Sequence, residues 1–141
     1  MKAFLDTSVL VASFYGDHEH HQRSFDLFLG CDKREACCGA HSLAEVYAVL
    51  TGMPGKERVS GDEALLFIGN VKERLTIVAL NEEEYWQAVE GAAAVGIQGG
   101  GIYDALLAAC ARKVRAENIY TWNVKHFRRL DSAIGDRTKT P

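Results

Sequence analysis

Four polar residues of the sequence stand where a predicted strand ends or a predicted helix begins. They are Asp6, Glu45, Asp104 and Asn123. Strand ends and the helix starts that follow them lie on one side of a parallel sheet, so this placement predicts a shared cleft. Carboxylates held close together repel one another unless a cation or a proton intervenes. Their oxygen atoms favour a hard cation such as Mg²⁺ or Mn²⁺, which activates water and stabilises charge on a phosphate.

Each of these residues also has a purely structural interpretation. Asp6 can cap the helix that follows it, and Glu45 has the spacing of a capping box with Ser42. Asp104 can be an acid in the first turn of a helix, and Asn123 can be a turn residue. Because several acids would have to meet by chance at one edge of one sheet, the joint pattern favours a functional site.

The elements that must position these residues alternate along the chain. Short apolar runs predict strands at 3–5, 36–40, 76–80 and 118–121, and the tail 137–141 could add an edge strand. Amphipathic or apolar runs predict helices at 8–14, from the histidine-rich connection to about 30, and at 41–51, 62–71, 82–95 and 102–116. The alternation predicts an α/β sandwich with a parallel sheet.

The composition limits the class of protein. A chain of 141 residues with 48% hydrophobic and 25% charged residues predicts one globular domain, 1–141, with a substantial core. The net charge of −3 argues against gripping nucleic acid by bulk electrostatics, although a local basic patch remains compatible with it. The sequence lacks a membrane span and a signal peptide, so we expect a cytoplasmic location and no membrane partner. The four cysteines lack zinc spacing and are expected to be reduced and buried.

Two other segments invite a functional interpretation. His18, His20 and His21 crowd an exposed connection, but neighbours in sequence do not converge easily on a metal, so they are interpreted as residues at a helix entry. The glycines at 99–101 precede the helix of Asp104 and could cradle a phosphate. They lack both the Walker and the dinucleotide-binding patterns, so they are interpreted as a flexible turn.

Four motifs, in this order and at these separations, resemble a PIN-domain nuclease. They are Leu5-Asp6-Thr7-Ser8-Val9-Leu10, Ala44-Glu45-Val46, Ile102-Tyr103-Asp104-Ala105-Leu106-Leu107-Ala108-Ala109 and Thr121-Trp122-Asn123-Val124-Lys125-His126-Phe127. In size and order the chain is most similar to VapC-type toxins of bacterial and archaeal toxin–antitoxin pairs. The resemblance implies a three-layer α/β/α sandwich with a five-stranded parallel sheet of order 3-2-1-4-5. It also implies a metal-dependent endoribonuclease, usually a homodimer, that a co-expressed antitoxin silences.

The resemblance also implies roles for individual residues. Asp6 and Asp104 resemble the direct ligands of Mg²⁺ or Mn²⁺, and Glu45 resembles the acid that holds or activates the attacking water. Ser8 and Thr121 match the hydroxyls that brace the acids.

Two positions depart from the more acidic form of the family pattern. Asn123 occupies a place where many members have Asp, and His126 stands where close relatives often carry an acid. Both departures reduce the negative charge and weaken the case for a second metal ion.

We therefore expect hydrolysis of RNA phosphodiester bonds. Lys125, Arg128 or Arg129 could steer the RNA backbone, since they lie near Asn123 in sequence. The family resemblance places the contact with a cognate antitoxin at the groove between the early helices and the turn at 53–58.

Two alternative functions remain open. A phosphatase of the haloacid-dehalogenase kind also opens with an acid after its first strand, but Ser8 stands where that class has its second acid. A catalytically weak PIN-like module would only bind RNA or protein. Its acids would be expected to be lost, whereas Asp6, Glu45 and Asp104 are all present.

Overall fold

A five-stranded parallel sheet forms the centre of the protein. The computed structural model describes residues 1–141. The strands are β1 (Ala3–Leu5), β2 (Ala36–Gly39), β3 (Thr76–Val78), β4 (Asn118–Tyr120) and β5 (Thr138–Lys139). Their order in the sheet is β3-β2-β1-β4-β5, and every neighbouring pair is parallel. The predicted order is confirmed, and the C-terminal tail supplies the predicted edge strand.

Eight helices and one turn of 3₁₀ helix (Gly55–Glu57) connect the strands. The helices are α1 (Thr7–Phe14), α2 (His21–Leu29), α3 (Ala40–Gly52), α4 (Gly61–Arg74), α5 (Glu82–Ala94), α6 (Gly101–Lys113), α7 (Val124–Arg128) and α8 (Ser132–Arg137). Buried residues of α1 to α4 form one core with the sheet, and those of α6, α7 and α8 form a second core. The protein is thus the predicted three-layer sandwich. None of its helices combines the length and apolarity needed to cross a membrane.

The two cores follow from the alternation of side chains along the central strands. In β1, Leu5 belongs to the core beneath α1 to α4, and Phe4 belongs to the core beneath α6 to α8. Cys38 and Cys37 divide between the same two cores in β2. Successive residues of a strand point to opposite faces of the sheet, so central parallel strands covered on both sides must be apolar throughout.

Gly39 at the end of β2 lies against α6, the helix that carries Asp104. A Cβ atom on this glycine would lie 2.6 Å from Cδ2 of Leu107 in α6, and Leu107 is itself buried. The missing side chain therefore allows α6 to approach β2 closely. Because α3 begins at the next residue, Gly39 also fixes where α3 leaves the sheet.

The structure corrects the predicted start of α3. Gly39 occupies the N-cap position in an extended conformation, so β2 runs directly into a helix that begins at Ala40. Ser42 is therefore a buried residue inside the helix rather than its N-cap, and Glu45 lies in the second turn rather than the first. The capping box that the spacing of Ser42 and Glu45 allowed as an alternative is therefore not formed.

Helix boundaries near the C-terminus also differ from the prediction. Helix α6 ends at Lys113, three residues early, where Arg115 adopts a positive φ of 53°. Helices α7 and α8 were not predicted, because five or six residues are too few to display a helical period.

Candidate active site

Asp6 lies at the floor of a cleft at the carboxyl end of β1. It is 2% exposed, and its Oδ2 atom accepts hydrogen bonds from Ser8 Oγ and from Thr121 Oγ1, each 2.7 Å long. Asp6 stands at the N-cap position of α1, but its side chain makes no capping hydrogen bond. The two hydroxyls therefore take the place of the cap as the partners of this carboxylate.

Burial dominates the electrostatics of Asp6. Loss of solvent raises the pKa of its carboxyl group, and the hydroxyls of Thr121 and Ser8 oppose that rise by donating to the charged form. A carboxylate in this position needs compensation for its lost hydration, which hydroxyl donors supply in part and a cation would complete.

Glu45 reaches the same cleft from the second turn of α3. Thr7 Oγ1 donates to its Oε1 atom over 3.1 Å and also forms a hydrogen bond of 2.9 Å with Ser42 Oγ. Burial raises the pKa of Glu45 to about 7, the Thr7 hydroxyl opposes this rise, and the charges of Asp6 and Asp104 add to it. Glu45 is therefore poised to change its protonation state near neutral pH.

Asp104 approaches from the first turn of α6, as predicted. Burial raises the pKa of its carboxyl group, and the charge of Asp6 raises it further. His126 and Arg129 act in the opposite direction, and Nδ1 of His126 lies 3.2 Å from Oδ2 of Asp104. The carboxylates are thus close enough for Asp6 to disfavour the charge on each of the other two.

A single cavity of about 460 Å³ brings the predicted residues together. Its walls include Asp6, Glu45, Asp104 and Asn123. The backbone N–H group of Asn123 donates to Thr121 Oγ1 over 2.9 Å, while its exposed side chain forms no hydrogen bond within the protein. That amide is therefore available to a ligand in the cavity.

The donor set of this cavity fits a hard divalent cation. Its carboxylates supply oxygen atoms, and their mutual repulsion is the kind that a cation relieves. No three His, Cys, Asp or Glu side chains lie close enough together to form a complete metal cluster. Mg²⁺ usually keeps several waters and takes one or two carboxylates in addition to substrate phosphates, so two carboxylates of this cavity would suffice to hold it.

The three predicted RNA-steering cations differ in where they lie. The guanidinium group of Arg129 lies near Gly101 at the start of α6, and its charge acts on Asp104. Arg128 instead packs against Gly135 of α8. Lys125 is exposed on α7, and none of the three lines the cavity.

Sequence reasoning missed several residues of this site. Thr7, which holds Glu45, was named only as part of the first motif, although its place beside Asp6 was the available signal. His18, His20 and Trp122 also line the cavity. The histidines do lie at the entry to α2, as interpreted, but nothing local to them indicated that they face the acids.

Known proteins resemble this chain in sequence and in fold. A family model described as PIN domain matches residues 3–132. Ribonuclease VapC40 of Mycobacterium tuberculosis is 30% identical over 112 residues, which cover 79% of this chain and 80% of that protein. The crystal structure of Mycobacterium tuberculosis VapC20, described as a sarcin–ricin loop cleaving toxin, matches with a TM-score of 0.72 at 18% sequence identity. The match covers 89% of this chain and 92% of the VapC20 chain. The structure of VapBC2 from Rickettsia felis, bound to a DNA fragment from their promoter, matches with a TM-score of 0.67 at 17% sequence identity. The match covers 99% of this chain and 98% of the matched chain.

Proposed function

Since the chain belongs to the PIN domain family, as a VapC-type member, we propose that it is an endoribonuclease that hydrolyses RNA phosphodiester bonds with Mg²⁺ or Mn²⁺. The observation that carries this proposal is the convergence of Asp6, Glu45 and Asp104 on one cavity. Burial raises the pKa of all three carboxyl groups, so keeping them charged costs free energy. Such a cost is expected at a site that binds a cation and is not expected of carboxylates with a purely structural role.

Each residue takes a defined part in the proposed reaction. Asp6 and Asp104 would hold the ion, which supplies charge neutralisation at the phosphate when it is bound. Ser8 and Thr121 fix the orientation of Asp6 by donating to its Oδ2 atom. Neither hydroxyl binds Oδ1, so this oxygen would be the one to contact a cation.

Glu45 acts as the general base toward the attacking water. Thr7 occupies its Oε1 atom, so Oε2 remains to accept the proton. A pKa of about 7 gives this carboxylate a useful balance between being deprotonated and being basic. The free amide of Asn123, which also lines the cavity, orients the water or a phosphate oxygen.

Cleavage of RNA by the purified protein tests the proposal. A pool of structured RNAs is incubated with Mg²⁺, with Mn²⁺ or with EDTA, using wild type, Asp104→Asn and, as a control acid on the exposed surface of α4, Asp62→Asn. The expected result is cleavage by wild type and Asp62→Asn that requires the metal and is lost in Asp104→Asn. Cleavage that survives both EDTA and Asp104→Asn contradicts the mechanism, and metal-independent RNA binding without cleavage supports the binding-module alternative.

The proposal extends to protein partners. The Rickettsia felis structure is described as a VapBC complex, and we propose that a cognate antitoxin binds this chain as well. A cavity of about 200 Å³ at the predicted turn lies between Tyr15 and Met53. A larger one of about 580 Å³, lined by aromatic residues of α1, α2 and α4, adjoins the same early helices. Truncation of the aromatic lining should weaken binding of the antitoxin without changing cleavage.

A homodimer is the proposed state of the free protein. Helix α5 exposes Tyr85, Trp86 and Val89 together, an apolar surface of the kind that subunit interfaces cover. Sedimentation equilibrium of wild type and Trp86→Glu tests this assignment. A dimer that the substitution dissociates supports it, and a monomeric wild type contradicts it.

A further inference from the structure

Three aromatic rings, called the ladder below, line the acidic cavity together. The ring of His20 stacks on Trp122 with 3.7 Å between centroids and 7° between planes, and the ring of His18 lies 5.7 Å from that of His20 with the two planes tilted by 46°. All three residues line the cavity that contains the acids. The histidine run of the sequence therefore supplies one ring stacked on Trp122 and a second ring tilted beside it.

Hydrogen bonds of Trp122 fix the position of the ladder relative to Asp6. Its indole N–H donates to the buried Ser24 Oγ over 2.8 Å, and its backbone N–H donates to Ser8 Oγ over 3.0 Å. Ser8 is the residue that also binds Asp6. The aromatic plane is thus fixed through one intervening residue relative to the carboxylate at the floor of the cavity.

The geometry does not suit a metal site made from these histidines. Nδ1 of His18 already accepts the backbone N–H of His20 over 3.0 Å, and the His20 ring packs face to face on Trp122. The ladder therefore offers flat aromatic surface rather than a converging set of nitrogen ligands. The guanidinium carbon of Arg23 lies 5.8 Å from the centre of the Trp122 ring and adds a positive charge beside the stack.

We propose that this ladder is a nucleobase subsite, in which a base next to the scissile phosphate stacks on His20 and makes unpaired RNA the preferred substrate. The inference rests on the proposed nuclease function and names the form of RNA that the site accepts. A chain of net charge −3 whose cavity is lined by carboxylates gains little from Coulomb attraction to a polyanion. Stacking is independent of that charge, and aromatic side chains bind unpaired bases of any sequence in this way.

Fluorescence of a protein with one tryptophan reports on the ladder directly. The background is Trp86→Phe with Asp104→Asn, which leaves Trp122 as the sole tryptophan and removes turnover. The probe is a short single-stranded RNA of mixed sequence, compared with the same RNA in a duplex. We expect the single strand to change the emission of Trp122 and to bind more tightly than the duplex.

Substitutions at His20 separate stacking from other contacts. We expect His20→Ala to weaken binding of the single strand roughly tenfold, the loss typical of one stacked base, and His20→Phe, which keeps a flat ring, to retain it. Gln22→Ala, on the exposed face of the same α2 entry, is the matched control and should bind like the background protein. Thermal unfolding of each variant verifies that the fold is intact.

Two results would overturn the inference. Unchanged binding in His20→Ala excludes the ladder as a subsite, and equal losses in His20→Ala and His20→Phe exclude stacking as its mechanism. Either result is independent of the nuclease assignment, because cleavage by protein with Asp104 intact is measured separately. Conversely, binding of single strands through His20 without any cleavage of RNA would support the nucleobase subsite and contradict the proposed nuclease reaction.

Discussion

Thr121 donates its hydroxyl proton to Oδ2 of Asp6 over 2.7 Å and so joins the end of β4 to the end of β1 across 115 positions of sequence. Ser8 donates to the same oxygen atom over the same distance. Two donors on one oxygen restrict the orientation of the carboxylate of Asp6, which lines the cavity. The orientation of the residue proposed as a metal ligand thus depends on a hydroxyl at the end of a neighbouring strand, and hydrogen-bond partners commonly orient metal ligands in this way.

Thr121→Val removes one of these donors while keeping the shape of the side chain. The pKa of Asp6, already raised by burial, should rise further, since the hydroxyl acts to lower it. We expect the affinity for Mn²⁺ near neutral pH to fall roughly 10- to 100-fold, measured by calorimetric titration. Thr138→Val is the matched control, because its buried hydroxyl donates to a backbone carbonyl of Ile134 instead. Equal metal affinity in wild type and Thr121→Val would contradict the bracing role.

Glu45→Gln should stabilise the metal-free protein in a pH-dependent way. The folded state raises the pKa of Glu45 from 4.5 to about 7, so the stabilisation from its protonated form is fully present below pH 4.5 and is lost as the pH rises through 7. A neutral glutamine does not lose it, and Thr7 can still donate to its amide oxygen. The unfolding temperature of the variant should therefore exceed that of wild type increasingly from pH 5 to pH 8.

The control for this prediction is an exposed glutamate on another helix. Glu90→Gln on α5 should change the unfolding temperature by a similar small amount at every pH, because this residue lies outside the cavity. Saturating Mg²⁺ should narrow the difference between Glu45→Gln and wild type at pH 8, since an ion bound as proposed would compensate the wild-type carboxylates. A pH-independent difference between Glu45→Gln and wild type would mean that the charge of Glu45 is not strained in the folded protein.

The sheet and most helices were predictable because apolar periodicity is a local property of the sequence. The adjacent apolar residues Phe4 and Leu5 predict a strand buried on both faces, and this prediction does not depend on which helices cover the sheet. The start of α3 was not predictable from capping patterns, because Gly39 carries β2 directly into the helix and moves Ser42 inward. Capping rules apply where a side chain satisfies the free backbone N–H groups at the start of a helix. Here the preceding strand β2 determines where the helix begins instead.

The candidate site also has a part that was predictable from the sequence and a part that was not. Asp6, Glu45 and Asp104 could be placed in one cleft because the topology of a parallel sheet brings strand ends together. The hydrogen bond from Thr7 to Glu45 and the stack of His20 on Trp122 could not be predicted, because each joins residues far apart in sequence through the packing of side chains. Residue types are readable in the sequence, but such pairings depend on three-dimensional contact.

Gly39→Ala should disturb both the fold and the site. The added Cβ would meet Leu107 Cδ2 at 2.6 Å in a packed core, and overpacking of this kind costs roughly 1–3 kcal/mol of unfolding free energy. Leu107→Ala in the same chain makes room, so the double variant should lose less than the sum of the two single losses. Gly69→Ala is the control in α4, where nothing lies within 4 Å of a new Cβ, and it should stabilise the helix by about 0.5–1 kcal/mol. Additive losses at Gly39 and Leu107, measured by urea unfolding, would contradict the close approach.

Arg129 and Arg128 form a matched pair that separates RNA steering from packing. Arg129 lies at the start of α6, where its charge lowers the pKa of Asp104, whereas Arg128 packs its stem on Gly135. We expect Arg129→Gln to weaken RNA binding and to reduce the dependence of affinity on salt, because each lost phosphate contact removes one released counterion. Arg128→Gln should leave the salt dependence unchanged. Binding isotherms of single-stranded RNA over a series of KCl concentrations measure both effects. Equal salt slopes in wild type and Arg129→Gln would assign Arg129 to the electrostatics of Asp104 alone.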